Sequence, residues 1–519
     1  MITDALAWCI HLSVAAWVIL QVVYWKKGYP EGVWFPWIVA CLLLPVWMMR
    51  LPLGLPLNVD DRTMAGFAII FAWLLCRHQT GVRFLPTTQD FLYGMMIGGL
   101  LISEYNNGEF RPLTIPEFIR AYATPYLVGR LFLKSPRDIY SIAPKIAFIS
   151  CFITTFAIIE SIIKVNLLSK ITNQIFYNLE HAGEGYRWGL KRAQGNTEHP
   201  IYFGMMLVLF LPWILHAYRC YKKWGGPYYL ALAPFLAVVA IFVTVSRGSQ
   251  IATMLVLLTT WFAWKPKMRR KILFLVLLGI IGYVSAKDQV MEVLGKVAGE
   301  QEVTFINIRG ITYEYTGTKH RALLPIVYRE TLDKGGMFGW GYQYKEIPYD
   351  TTLPSQFKSI DDHYLLTQVR YGLFGVSSFL GIMVISLYQI GRILRVPGYP
   401  EKEFFILLIG SYLSTGLVLT SVAMADDFGW ILYFNMGVVA QLSSTISKKS
   451  NFTGPTPIPQ TATLPLMPYY PLSYSPYYFP GNSHGNHPGN HPNEQFNPGH
   501  PPIQNPPDQQ RPYHAHPQN

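Results

Sequence analysis

The chain has 519 residues, of which 51% are hydrophobic, 15% aromatic and only 14% charged. Mean hydropathy is +0.22. Soluble domains carry about 25% charged residues, so an ordinary soluble enzyme is excluded as the first reading. The net charge of +12 raises nucleic acid as a partner, but no basic stripe with interleaved aromatics occurs, and no nucleic-acid surface is expected. Five cysteines (Cys9, Cys41, Cys76, Cys151, Cys220) lie in or beside apolar runs without metal-ligand spacing. They read as buried thiols, and neither a disulfide framework nor a metal site is expected.

Apolar runs recur to about residue 445, at 4–24, 33–49, 63–76, 90–105, 115–133, 142–163, 199–218, 228–245, 249–264, 272–286, 364–390, 404–424 and 428–446. A span needs about 20 mostly apolar residues. The expected class is therefore an all-α, polytopic integral membrane protein with about 12–13 transmembrane helices. The first run lacks a basic leader and a small-residue cleavage pattern, and reads as an uncleaved span.

Basic residues set the orientation. Alternate connections hold Lys26 and Lys27, then Arg77 and Arg83, then Arg130, Lys134, Arg137 and Lys145, then Arg219, Lys222 and Lys223. The series continues with Lys265, Lys267, Arg269, Arg270 and Lys271, then Arg392, Arg395 and Lys402, then Lys448 and Lys449. These are 21 of the 42 Lys and Arg. Every second connection is basic, which places those connections and the C-terminal tail in the cytoplasm.

The expected organisation is N-terminal membrane helices over 1–163, an outer loop at 164–198, and membrane helices over 199–286. A long outer loop at 287–362 follows, then membrane helices over 363–446 and a tail at 451–519. The long loop contains Ala322-Leu323-Leu324-Pro325-Ile326-Val327, which predicts one amphipathic helix over the membrane domain. The tail holds 17 of the 38 prolines, six of the 13 histidines and three charged residues. It should be disordered, with polyproline II character.

Three outer-face segments carry charges that are costly near bilayer depth. The turn Ser246-Arg247-Gly248-Ser249 separates two apolar runs by a few residues. Its guanidinium fork suits phosphate or carboxylate, or else it snorkels to headgroups as an anchor. Lys191 and Arg192 open a segment that runs through His199-Pro200 into the next span; taken alone it is also an ordinary loop end. Asp361-Asp362-His363 opens the span at 364–390. Two carboxylates beside an imidazole favour general-base work, whereas a helix start would use an aspartate as its cap. Two arginines and a histidine on one face suit a lipid diphosphate and an acceptor hydroxyl, with the cations stabilising the departing diphosphate.

At these residues the sequence resembles the O-antigen ligase and polymerase family of polytopic membrane glycosyltransferases. The matching features are Ser246-Arg247-Gly248, the long loop after the tenth span, and Arg321 ahead of Gly339-Trp340-Gly341. His363 through Leu366, followed by Gly372 and Gly375, and the stretch from Arg192 to Pro200 complete the set. The resemblance is best over about 190–445. It implies a glycan donor on undecaprenyl diphosphate and an acceptor that is a lipid A-core sugar, another glycan or a protein hydroxyl. Arg192 and Arg247 would hold the diphosphate and His363 would act as base. Lys191, Ser246, Gly248, Arg321, Gly339 and Gly341 would contact substrate, with no cofactor. The implied location is the bacterial inner membrane, with a periplasmic active site. Two other classes are a transporter or flippase for a lipid-linked glycan, drawing on Glu104, Arg120, Glu160, Asp426 and Asp427, and a scaffold acting through its tail.

Overall fold

The computed structural model describes residues 31–44, 61–80, 84–170, 185–265, 304–315, 320–342 and 357–449, apart from a few positions within those ranges. The runs expected at 4–24 and 272–286, and the tail at 451–519, lie outside the described residues apart from positions 13 and 16.

The described chain is mostly helical, and its helices fall on the apolar runs. In order they are α1 (Glu31–Leu42), α2 (Asp61–Thr80), α3 (Thr88–Asn106), α4 (Thr114–Phe118), α5 (Thr124–Phe132) and α6 (Asp138–Ile163). After a loop come α7 (Pro200–Trp224), α8 (Tyr229–Val243) and α9 (Arg247–Trp264). The long loop carries α10 (His320–Val327) and α11 (Arg329–Gly335), and the chain closes with α12 (His363–Arg395), α13 (Lys402–Val418) and α14 (Asp426–Lys449). Among the described residues, α6, α7 and α12 are long and apolar enough to cross a membrane. The run at 115–133 is not one regular helix, because a π-helical turn, Ile119–Ala123, joins α4 to α5.

The loops depart from the all-α expectation. Tyr186–Arg187 pairs with Leu190–Lys191 as a short hairpin (β1 and β2), and Thr304–Ile308 pairs antiparallel with Ile311–Tyr315 (β3 and β4). The alternation in Thr-Phe-Ile-Asn-Ile supplies the second hairpin, and the Asn307 side chain accepts from Gly310 N–H to close its turn. The amphipathic helix is present as α10, burying His320, Leu323, Leu324 and Val327 at helical spacing. Leu323, Leu324 and Val327 share an apolar cluster with Ile306, Ile308, Leu365 and Val369, which seats the long loop on the start of α12.

A continuous apolar core joins α1 through α9 with α12, α13 and α14. Large side chains such as Phe71, Phe91, Ile162, Phe235 and Val384 are nevertheless exposed, the pattern of helices facing an apolar solvent. α5 and α14 cross closely at Gly129 and Gly437, where a Cβ on either would meet the other helix's backbone.

The ends of the described helices meet in two groups. At one end lie Arg130, bonded to Asp90 and Gln441, and Arg219, paired with Glu403. That end also holds Lys222, Lys223, Lys265, Arg392, Arg395 and Lys402, all at the adjoining helix ends. The segments at 192–199, 244–249, 363 and 419–427 meet at the other end. A helix rises about 1.5 Å per residue, so the 25 residues of α7 separate the ends by about 37 Å.

Candidate functional site

The far end is built around the 191–199 segment. Glu160, buried near the end of α6, accepts from Gly195 N–H at 3.0 Å and from Gln194 N–H at 3.3 Å. Lys191 Nζ stands 3.8 Å from the same carboxylate. The segment is also tied by Ala193 N–H to Val243 O at 3.1 Å. Buried Arg192 donates its Nε–H to Thr244 O at 3.3 Å. Arg192 is thereby packed against the turn that leads into Arg247.

That turn is strained. Val245 has φ of 48°, a left-handed conformation that a β-branched residue rarely takes. Ser246 caps the start of α9 without a side-chain capping bond, and its Oγ lies 3.2 Å from Ser249 Oγ. Arg247 is half-buried at the first helical position and makes no ion pair with the described residues. Gly248 approaches Val418 at the end of α13. One residue further, Leu419 O accepts the backbone N–H of His363 at 2.9 Å. A chain of direct contacts thus runs from Arg192 through the Ser-Arg-Gly turn to His363.

Asp362 is the N-cap of α12 and accepts from Leu365 N–H at 3.0 Å. Burial pushes its carboxyl above the ordinary value, opposed by the backbone N–H groups of Leu365 and Tyr364 and by the charge of Arg321. Arg321, exposed on α10, therefore acts electrostatically at the start of α12. Asp362 is engaged as a cap, and His363 has other partners. Its Nδ1 accepts from Met424 N–H at 3.3 Å, and its Nε2 lies 3.4 Å from Thr367 Oγ1. With Nδ1 accepting, Nε2 carries the proton of the neutral ring.

His363 lines a cavity of about 60 Å³ with Thr367, Arg370, Tyr371, Tyr122, Trp430 and Tyr433. Neither Arg192 nor Arg247 lines it. The tertiary structure puts Arg370 there instead, at i+7 from His363 on the same helix face. Its guanidinium covers the Tyr342 ring at 4.4 Å. The buried hydroxyl of Tyr371 and the indole N–H of Trp430 have no hydrogen-bond partner among the described residues. Both atoms are closed off by packing, so neither faces into the cavity. Every wall residue belongs to a helix or to the π-helical turn except Met424 and Ala425.

Gly339 and Gly341 have a packing role at this wall. α12 breaks at Gly372, with φ of 65°. Trp340 N–H and Gly341 N–H donate to Val369 O and Arg370 O at 2.9 and 2.8 Å, and Leu373 and Phe374 N–H return bonds to Gly336 O and Met337 O. Gly339 and Gly372 both hold positive φ, and a Cβ on either would collide with the other's strand of backbone. Ser103 and Asn107 of α3 bind the same knot, and Glu104 accepts from Tyr342 N–H at 2.6 Å.

Asp427 also anchors a loop, and the Asp426 side chain lies outside the described residues. Asp427 accepts from Arg62 and from Glu198 N–H, both at 3.3 Å. Glu104, Glu160 and Asp427 are thus each engaged with a backbone N–H at the same end. The i, i+4, i+7 spacing of His363, Thr367 and Arg370 was a readable signal for the cavity. Nothing local marks Tyr122 or Trp430 as its neighbours, or Arg62 as the partner of Asp427. Among the described residues no group of three or more His, Cys, Asp or Glu is placed to hold a metal.

Compared with known proteins, the chain matches no protein-family model and no curated protein.

Proposed function

We propose that this chain is a polytopic membrane glycosyltransferase of the O-antigen ligase kind, with about 12–13 spans in a bacterial inner membrane. It would move a glycan from undecaprenyl diphosphate to an acceptor hydroxyl on the periplasmic side. The observation that carries this reading is the contact chain joining Arg192, the Arg247 turn and His363 at the end opposite the basic connections. The positive-inside rule makes that end the periplasmic one.

In this reading Arg247 and Arg192 receive the diphosphate. The half-buried guanidinium of Arg247 offers a bidentate fork to phosphate oxygens at a helix N-terminus. The sugar and acceptor take the His363 cavity, where Arg370 adds positive charge. A cavity of about 60 Å³ holds water and not a sugar ring, so the acceptor is admitted by movement of the Met424–Ala425 connection. The same movement frees Nδ1 of His363 from Met424 N–H. Nδ1 then takes the proton of the acceptor hydroxyl. The hydroxyl oxygen bonds to the anomeric carbon, the bond from that carbon to the phosphate oxygen breaks, and the diphosphate leaves against the arginines.

Deleting the gene and profiling surface polysaccharide, lipopolysaccharide and glycoproteins tests the assignment, since one of them should lose its glycan. Arg247→Lys keeps the charge and loses the fork, so it should abolish transfer while the protein is still made. Normal transfer by that variant removes the clamp, and intact glycans in the deletion strain remove the assignment.

A further inference from the structure

The opposite end of the bundle contains a second cavity, of about 280 Å³, between the ends of α7 and α9. Its lining is Tyr218, Arg219, Lys222, Lys223, Trp264 and Lys265. Four cations converge there, and no carboxylate lines the cavity. Arg219 pairs with Glu403, which does not line the cavity, and lies 5.8 Å from the Trp264 ring centre. Lys223 Nζ sits 4.7 Å over the Trp224 ring. Lys222 and Lys265 have no ion pair among the described residues. The indole N–H of Trp264 is buried and also has no hydrogen-bond partner there.

Topological charge explains why lysines lie at this end. It does not explain why four cations converge on one cavity. A cavity lined by donors and positive charge is matched by an anion with several acceptor oxygens.

The surface beside it identifies the rest of the ligand. Ile251, Met254, Leu257 and Trp261 are all exposed on α9, at spacings of three, three and four. They form one apolar stripe that ends at Lys265. Ten residues of helix span about 15 Å, enough to lie along an acyl chain. Trp224 and Tyr228, 54% and 85% exposed, follow Lys223 in the chain, a position where interfacial aromatics occur. We propose that this cavity binds the phosphate of an anionic phospholipid headgroup, with the acyl chains lying on the α9 stripe.

The test uses the full chain purified in a neutral detergent. Phosphatidylglycerol, phosphatidylcholine and inorganic phosphate are added separately, the last against sodium chloride at matched ionic strength. Lipid retention is read by native mass spectrometry and stability by the thermal midpoint, neither of which depends on glycan transfer. Phosphatidylglycerol should be retained and should raise the midpoint, whereas phosphatidylcholine and inorganic phosphate should do neither. Lys222→Gln with Lys265→Gln should weaken retention about 25-fold, at roughly fivefold per cation. Arg392→Gln with Arg395→Gln, at the same end but outside the cavity lining, removes the same charge and should leave retention unchanged. Equal retention of the two lipids overturns the proposal, as does a midpoint rise with inorganic phosphate matching that with phosphatidylglycerol. Wild-type retention by Lys222→Gln with Lys265→Gln also overturns it, as does an equal loss in Arg392→Gln with Arg395→Gln, because diffuse surface charge would then account for binding.

Discussion

Glu160 provides a quantitative test of how the far end is held. Its carboxylate is 2% exposed and takes the N–H groups of Gln194 and Gly195. Glu160→Ala leaves both donors buried without an acceptor, at about 1–3 kcal/mol each. Part of that loss is offset, because the variant no longer buries a charge; a net cost of about 3 kcal/mol follows. With an unfolding entropy of about 2.1 cal/mol/K per residue, a chain of 519 residues should lose about 3 °C in its thermal midpoint. Glu160→Gln keeps one acceptor oxygen and should lose about half as much. Both variants loosen the segment that holds Arg192 on Thr244 O, so transfer should fall in the order wild type, Gln, Ala. The assays are differential scanning fluorimetry in detergent and glycan transfer at a temperature where all three are folded. Abolished activity in Glu160→Gln with an unchanged midpoint would refute the anchoring role and mark the carboxyl as a group in a proton or ion path. An unchanged midpoint in Glu160→Ala would refute the hydrogen-bond accounting.

Other consequences are open to measurement. His363→Gln should remove turnover while donor binding persists; Thr367→Val, which deletes the hydroxyl 3.4 Å from Nε2, should lower turnover about fivefold without changing expression. Equal turnover in wild type and His363→Gln would reassign the base. Gly372→Ala should destabilise by at least about 1–3 kcal/mol from its backbone conformation alone, and more from collision with Met337; a wild-type thermal midpoint would argue against the break in α12. Burial, and then the like charge of Glu403, pushes the Glu401 carboxyl up to about 7. That lies above an unfolded carboxyl near ~4.3, so the native state binds the proton more tightly. Stability should therefore fall as pH rises from about 4.5 to about 7 and level off beyond. The groups facing Glu401 are His216 at 3.2 Å, Arg219, Lys402, Glu403 and Tyr399. Glu401→Gln should flatten the slope, and a slope that survives it belongs to another group.

Much of the architecture is set by short-range pattern. Apolar runs long enough to bury their own backbone bonds become helices whatever they pack against, which is why α6, α7, α9 and α12 begin and end within a few residues of the runs that predict them. Alternation of basic connections is equally local, and among the described residues Arg219, Lys222, Lys223, Lys265 and Lys402 do lie at one end. The Asp362 cap and the α10 face follow from spacing within a turn or two. The hairpin at Thr304–Tyr315 is equally local, as a two-residue alternation closed by Asn307 and Gly310, but it lies in a loop for which the sequence reading predicts only one amphipathic helix.

What only the tertiary structure decided is which of these pieces meet. Arg62 and Asp427 are 365 positions apart, and Gly339 meets Gly372 only because α12 breaks there. No periodicity within either partner encodes such a meeting, since it depends on how rigid helices choose neighbours by shape. For the same reason the sequence placed Arg192, Arg247 and His363 on one face but did not show that Arg370 would share the His363 cavity. Nor did it show that Met424 N–H would occupy Nδ1, or that Glu104, Glu160 and Asp427 would be engaged in holding loops.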